Sequence, residues 1–248
     1  MWEIIAFLIG LVFGSFANVV AWRLPENWKA IFLARSHCPH CRKILAWYDL
    51  IPLLSYLVLQ GQCRHCKKAI SWHYFLVELL TGLSFALLCH FYGFSRSSLL
   101  LYFLVVCLMI VVAFDLKDNL IPDLFVGLGF IFALFWRLWG PTDWLYVCWG
   151  LGGSLVFFTL LAGLGRGKWM GWGDVKLVGL LALWLAYPKI IVGLFLAFFV
   201  GALVGVWLLI TKEKKWQDEV PFGPFLILGA LVAFFWGQYL IKWYLGIY

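Results

Sequence analysis

Three groups of residues in this chain have types and spacings that suit chemistry. GWGDVKL (171–177) sets Asp174 behind Gly171 and Gly173 at the start of a long apolar run. VVAFDLKDNLIPDLF (111–125) closes one apolar run, opens the next, and carries Asp115, Asp118 and Asp123. Four of the seven cysteines form two pairs, CPHC (Cys38, Cys41) and CRHC (Cys63, Cys66), with 21 residues between the pairs. Two carboxylates held together cannot both ionise at low cost, so they share a proton. One can then take a proton from water while the other protonates a peptide carbonyl. Asp115 and Asp174 suit that aspartyl chemistry, which needs neither a nucleophilic side chain nor a catalytic metal. Two C-x-x-C knuckles let four thiolates close a tetrahedron around a zinc ion, which builds a scaffold and implies no reaction.

The elements that must position these groups are membrane helices. The chain is 65% hydrophobic and 12% charged, with 16 Trp and 23 Phe, whereas roughly a quarter of an ordinary soluble domain is charged. Spanning helices need about 20 apolar residues. The polar breaks predict eight, near 2–22, 74–92, 97–114, 121–138, 143–164, 175–188, 190–210 and 222–246, in an all-α integral membrane protein. The first run lacks a basic leader and an A-x-A-like cleavage site, so it is expected to be retained as a span.

Orientation follows from the Lys/Arg bias of the loops. With the N-terminus outside, 15 of the 19 basic residues fall on the inner side. They are Arg23, Lys29, Arg35, Arg42, Lys43, Arg64, Lys67, Lys68, Lys117, Arg166, Lys168, Lys176, Lys212, Lys214 and Lys215. Arg96, Arg137, Lys189 and Lys242 are left outside. The net charge of +7 therefore marks the inner face of a membrane, and no basic–aromatic nucleic-acid motif is present.

Residues 23–73 form the one sizeable loop. On the inner side it lies in a reducing compartment, which disfavours a pair of disulfides and favours a structural zinc on Cys38, Cys41, Cys63 and Cys66. A redox pair is the other reading of such cysteines. His40 and His65 are expected to be solvated loop residues, and Cys89, Cys107 and Cys148 to pack as small hydrophobes. Between the knuckles, ILAWYDLIPLLSYLVLQG (44–61) is apolar but short for a span. It is expected to lie at the inner headgroup level, with Trp47, Tyr48 and Tyr56 at the interface.

An ionised carboxylate in hydrocarbon costs roughly 2.5 kcal/mol or more, so buried acids point to function unless they are paired. Glu78 lies inside the second helix; Asp115, Asp123 and Asp174 stand around helix mouths at the inner face, with Asp118 in the same short turn as Asp115. Lys117 and Lys176 each follow an Asp by two residues, an offset that points to different faces of a helix. They are expected to reach the inner headgroups. Gly171 and Gly173 would let an extended substrate approach closely.

At this point the residues resemble a known family. GSFANVVAWRLP (14–25), CPHC, WYDLIPLLSYLVLQGQCRHC, ISWHYFLVELLTG, FDLKDNLIPD (114–123), GWGDVKL and PFGPFLILGA (221–230) run in order nearly end to end. They are similar to the boxes of bifunctional type IV prepilin leader peptidase/N-methyltransferases, which are GxGD-type aspartyl proteases. The resemblance implies two reactions. One cleaves the basic leader of prepilins and pseudopilins of type IV pilus or type II secretion systems, at the cytoplasmic face of the inner membrane. The other methylates the new α-amino group with S-adenosylmethionine as donor. The family's paired aspartates fall on Asp115 and Asp174. Its methyltransferase function is associated with the N-terminal half, where Asn18, Arg23, Asp49 and Glu78 are polar matches that read equally well as structural. The implied division is a first helix (1–22), a cytoplasmic zinc-binding domain (23–73) and a seven-helix membrane domain (74–248). Asp118 and Asp123, if free, would receive the leader's positive charges.

Three rival readings have their own signatures. A proton- or cation-coupled transporter would place its carboxylates near the bilayer midplane and show repeated hydropathy; here the acids lie at helix mouths. Against a related peptidase without methyltransferase activity, the intact cysteine knuckles argue by resemblance to the bifunctional family. An assembly scaffold would need neither aspartate.

Overall fold

The computed structural model describes residues 1–24, 28–29, 31, 35–165, 170–211 and 220–246. Arg166, Lys168, Lys212, Lys214 and Lys215, counted above toward orientation, lie outside the described residues, as does Pro25 of the first box. Among the described residues the fold is all-α. Helices α1 (Trp2–Arg23), α2 (Leu54–Val58), α3 (Trp72–Tyr92), α4 (Arg96–Asp118), α5 (Asp123–Trp139), α6 (Trp144–Leu164), α7 (Trp172–Leu185), α8 (Lys189–Ile210) and α9 (Gly223–Leu245) follow in chain order. Two isolated bridges and one 3₁₀ turn, Trp47–Leu50, complete it.

Every predicted span has a helix in its place. Six of them (α1, α3, α4, α6, α8 and α9) are long and apolar enough to cross a membrane. The other two differ from expectation. Helix α5 has 17 residues and α7 has 14, and at 1.5 Å per residue α7 reaches only about 21 Å against a hydrocarbon core of about 30 Å. Local signals set the ends. Ser95 and Ser98 form a reciprocal capping box at the start of α4, and Asn119 closes that helix in the left-handed conformation at φ 50°. Arg137, in the last turn of α5, donates to the carbonyls of Leu183 and Trp184, at 3.1 and 2.6 Å, satisfying the C-terminal carbonyls of the short α7.

The chain divides into two compact units, Met1–Phe94 and Ser95–Tyr248. In the first, α1 packs along α3. The sequence GLVFG (10–14) places two glycines one turn apart on α1, and the backbones meet there. A Cβ on Gly14 would stand 2.7 Å from Glu78 Cα, and one on Gly10 would stand 2.8 Å from Gly82 Cα. Small residues permit this approach in a membrane, where dispersion between helices replaces the hydrophobic effect. Gly14→Ala is therefore expected to destabilise this unit by ~1–3 kcal/mol, because backbone rather than a side-chain tip must yield. Gly152→Ala, which meets nothing within 4 Å, should leave stability unchanged; thermal unfolding in detergent measures both.

In the second unit the two helices that carry the notable acids are the innermost. Helix α4 is buried almost continuously from Leu101 to Asp115, and α7 from Leu177 to Leu185. Helix α5 packs on both, α6 on α7, and α9 on α4, α7 and α8. Helix α8 keeps an outward face of Phe195, Phe199, Leu203 and Trp207, suited to lipid. Its opposite face meets α9 backbone to backbone at Gly193 and Gly229, so α9 has little freedom to slide.

Candidate active site

Asp115 lies in the last turn of α4 and Asp174 in the first turn of α7. The two helices thus deliver one carboxyl each, from opposite chain directions, into a single open cleft of about 500 Å³. Its walls are the α4–α5 turn (Asn119 to Asp123) and the start of α7 (Gly171, Gly173, Asp174, Lys176). Asp115 is 5% exposed, and Asp174 is half-buried. Each feels the surrounding apolar mass, and Asp115 feels the charge of Asp174 as well.

Each carboxyl is held by one backbone N–H. Gly171 occupies the N-cap of α7 and Asp174 its third position, from which the side chain reaches back to accept from the Gly171 N–H at 3.3 Å. That local bond explains why a Gly-x-Gly-Asp run opens a helix with its carboxyl at the mouth. Asp115 has no such local donor. Its Oδ2 accepts from the N–H of Gly223, 108 residues away at the N-terminus of α9, at 2.8 Å. Sequence reasoning picked out PFGPFLILGA as a box but gave Gly223 no place at the acids. The signal was a glycine and proline together at a helix start, which spacing alone does not connect to Asp115.

The two glycines of the GxGD run differ. A Cβ on Gly171 would meet the Asp174 carboxylate at 3.4 Å and the Gly173 N at 3.9 Å, both ordinary contacts, whereas one on Gly173 would press on the Ile121 side chain at 3.0 Å. A side chain at Gly173 would thus crowd the α4–α5 turn, although both glycines line the cleft.

Neither lysine pairs with the acid two residues before it, as the helical offset implied, but neither simply reaches outward. Lys176 Nζ donates to both oxygens of Asp123, at 2.7 and 2.8 Å, and Lys117 lies 3.0 Å from Asp118. Asp118 and Asp123 thus each have a basic partner within the chain. The cause is rotation: the α4–α5 turn carries Asp123 under the first turn of α7, where Lys176 already projects. Both pairs are exposed enough that their stabilisation is small.

In the first unit, the thiols of Cys38, Cys41, Cys63 and Cys66 lie within 4.8 Å of one another and could hold a metal ion. The two knuckles repeat each other at an offset of 25 residues. Cys38 N–H donates to Lys43 O as Cys63 N–H does to Lys68 O, and Arg42 and Lys67 take matching left-handed conformations. His37 bridges Ile44 as Gln62 bridges Ala69. Amides of Cys66 and His65 pull the Cys63 thiol down to about 6. The Lys68 amide favours the Cys66 thiolate too, but burial and the other three sulfurs outweigh it and hold that thiol above its ordinary value. A soft divalent cation among the four sulfurs removes that opposition, so the donor set fits zinc. All seven cysteines are free thiols. His40 and His65 are exposed, as expected, and Cys89 and Cys107 are buried. Cys148, expected to pack inside, is exposed on α6.

Asn18, Arg23, Asp49 and Glu78 all lie in this unit, each with a partner. Asn18 donates to Tyr74 O at 3.1 Å, tying α1 to α3. Glu78 accepts from the Leu53 N–H at 2.9 Å, where Leu53 adopts φ 59°. Arg23 donates to Ile31 O and Ser36 Oγ. Asp49, buried, accepts two bonds from Arg64 at 2.8 and 2.9 Å, so the turn between the knuckles is tied to the second of them. That turn and the α2 helix after it expose Trp47, Leu54, Leu57 and Val58.

Fold and site together define a helical membrane protein with an acid pair at a helix mouth and a four-thiol knot. Residues 8–92 match the model of the bacterial peptidase A24 N-terminal domain, and residues 102–206 match that of the type IV leader peptidase family. Three relatives named prepilin leader peptidase/N-methyltransferase extend the match. The Legionella pneumophila protein is 32% identical over 96% of this chain and 93% of its own length. That of Aeromonas hydrophila is 32% identical over 97% and 93%. That of Bacillus subtilis is 30% identical over 97% of each. The chain belongs to the prepilin leader peptidase/N-methyltransferase family. No solved structure matches it.

Proposed function

We propose that this protein cleaves the basic leader of type IV prepilins or pseudopilins with Asp115 and Asp174, and N-methylates the new terminus with S-adenosylmethionine as donor. The observation that carries the reading is the shared cleft: two carboxyls from separate inner helices line one opening at the mouth of a membrane bundle. One carboxylate takes a proton from a water as its oxygen attacks the scissile carbonyl; the other acid donates its proton to the carbonyl oxygen. Collapse of the tetrahedral species then breaks the C–N bond, and the leaving amine takes up a proton from the pair. Gly171 leaves the approach clear, and the Lys176–Asp123 pair sits at the rim.

A prepilin's hydrophobic segment lies in the bilayer and its leader in the cytoplasm, so the scissile bond waits at the inner boundary. The Lys/Arg distribution supports a multi-pass inner-membrane protein with its N-terminus outside and the 23–73 loop and both acids on the cytoplasmic side. Cys38, Cys41, Cys63 and Cys66 would hold a structural zinc, which braces the loop and takes no part in proton transfer. Asn18, Arg23, Asp49 and Glu78 are the candidates for supporting methyl transfer in the first unit. No observation favours the transporter, since the acids open on a cleft at helix ends.

The reading is tested by mass spectrometry of a prepilin incubated with purified protein, with and without S-adenosylmethionine. Loss of the leader in both samples, with one added methyl only when the donor is present, is the expected result. Intact prepilin in both, with folded protein, would sink it.

A further inference from the structure

Among the groups that touch the two acids, Gly223 is the one that no motif for acid chemistry points to. Its N–H donates to Asp115 Oδ2 at 2.8 Å, in a buried setting and across 108 residues. A Cβ on Gly223 would stand 2.6 Å from that same oxygen and 3.3 Å from Asp115 Cγ. The position thus supplies a donor and, by lacking a side chain, the space for the acceptor.

The local sequence makes this donor single. Phe222 is the N-cap of α9, and its carbonyl takes the amides of Phe225 and Leu226. Pro224 has no N–H. Of the first helical amides, only that of Gly223 is left to serve a group outside the helix, and Asp115 takes it. The donor is also fixed in place. Helix α9 meets α8 backbone to backbone at Gly193 and Gly229, and Phe222 packs on Phe198 at a centroid distance of 5.1 Å.

We propose that Gly223 is a positioning residue for peptide cleavage: its amide anchors one oxygen of Asp115 and so directs the other toward the cleft shared with Asp174. The proposal rests on the reading of Asp115 as a member of the reacting pair. Helix α9 thereby becomes the third element of the site, holding the carboxyl that α4 carries. A donor of this kind acts by preorganisation, and displacing a reacting group by about 1 Å can cost ~100-fold in rate.

The test uses Gly223→Ala in the full-length protein. The atom that must yield is a carboxylate tip, so the helix stays and the carboxyl swings away. The expected result is a kcat for leader cleavage lower by ~100-fold, with KM within about twofold, unchanged thermal unfolding, and full methylation of a peptide that already carries a mature pilin N-terminus. Gly229→Ala, in the same helix but against the Gly193 backbone, serves as the packing control and should lower the unfolding temperature. Full cleavage by Gly223→Ala, while Asp115→Asn is inactive, would overturn the positioning role and leave the acid pair standing. Cleavage surviving in Asp115→Asn would instead remove the reading beneath it. A Gly223→Ala protein that loses stability and both activities, as Gly229→Ala would, reduces Gly223 to packing and also overturns the proposal.

Discussion

Asp115→Asn and Asp174→Asn should each lower kcat for leader cleavage by about 10³-fold or more, as removal of a group that transfers protons in the rate-limiting step does. The amide is nearly isosteric and still offers an oxygen to its backbone donor, Gly223 N–H for position 115 and Gly171 N–H for position 174. The fold therefore has no cause to change, and methylation of a peptide with a mature pilin N-terminus should persist. On the proposed mechanism the two acids act as one unit, so the double variant should be little worse than either single one. The pattern separates two meanings of a buried carboxyl. If Asp115 served only to cap α9, the Asn variant would cleave normally; if it shares the reaction, nothing short of a carboxyl serves. Normal turnover by either variant, measured by leader release against time, would dismiss the acid pair.

Purified protein should carry one zinc per chain, and Cys63→Ser should lose it along with methyltransferase activity. Cysteine-rich sites bind zinc with roughly 10–16 kcal/mol at neutral pH, which matches or exceeds the whole stability of a typical domain. Among the described residues, the knuckles are otherwise held by two isolated bridges, a few turns, the Arg64–Asp49 pair and the Arg23–Ser36 bond. Cys148→Ser, exposed and far in sequence from the knot, should change nothing. Elemental analysis of the purified variants decides the point, and metal-free wild-type protein that still methylates would refute it. Acid should release the metal. Cys63 is lowered in the folded chain to about 6, below the ~8.5 of a free thiol. A depressed value means that its thiolate stabilises the fold fully above the unfolded value and that this contribution is lost as pH falls through about 6. Zinc retention should hold near neutrality and fall away in acid, where protons compete with the metal for the sulfurs.

Much of this protein is determined by its sequence alone, because the relevant signals are local. An apolar run of sufficient length between polar breaks must become a helix in a bilayer, so the six helices long enough to span, and the shorter α5 and α7, fall where those runs predict. Two C-x-x-C knuckles carry their own turn geometry, so the four thiols meet as the spacing implies. The Gly-x-Gly-Asp run likewise encodes its own cap, and Asp174 stands at the mouth of α7 for that reason. The tertiary structure decided what depends on how each helix is rotated and packed. Rotation brought Lys176 to Asp123, a pairing among four acids and two lysines that spacing cannot make, and set Asp115 and Asp174, already paired by their motifs, on one cleft. Packing let α7, at 14 residues too short to cross a bilayer unaided, end buried among its neighbours with its C-terminal carbonyls taken by Arg137. It also brought Gly223 to Asp115. A donor and acceptor 108 residues apart share no local pattern; the packing of α9 on α4 brings them to 2.8 Å.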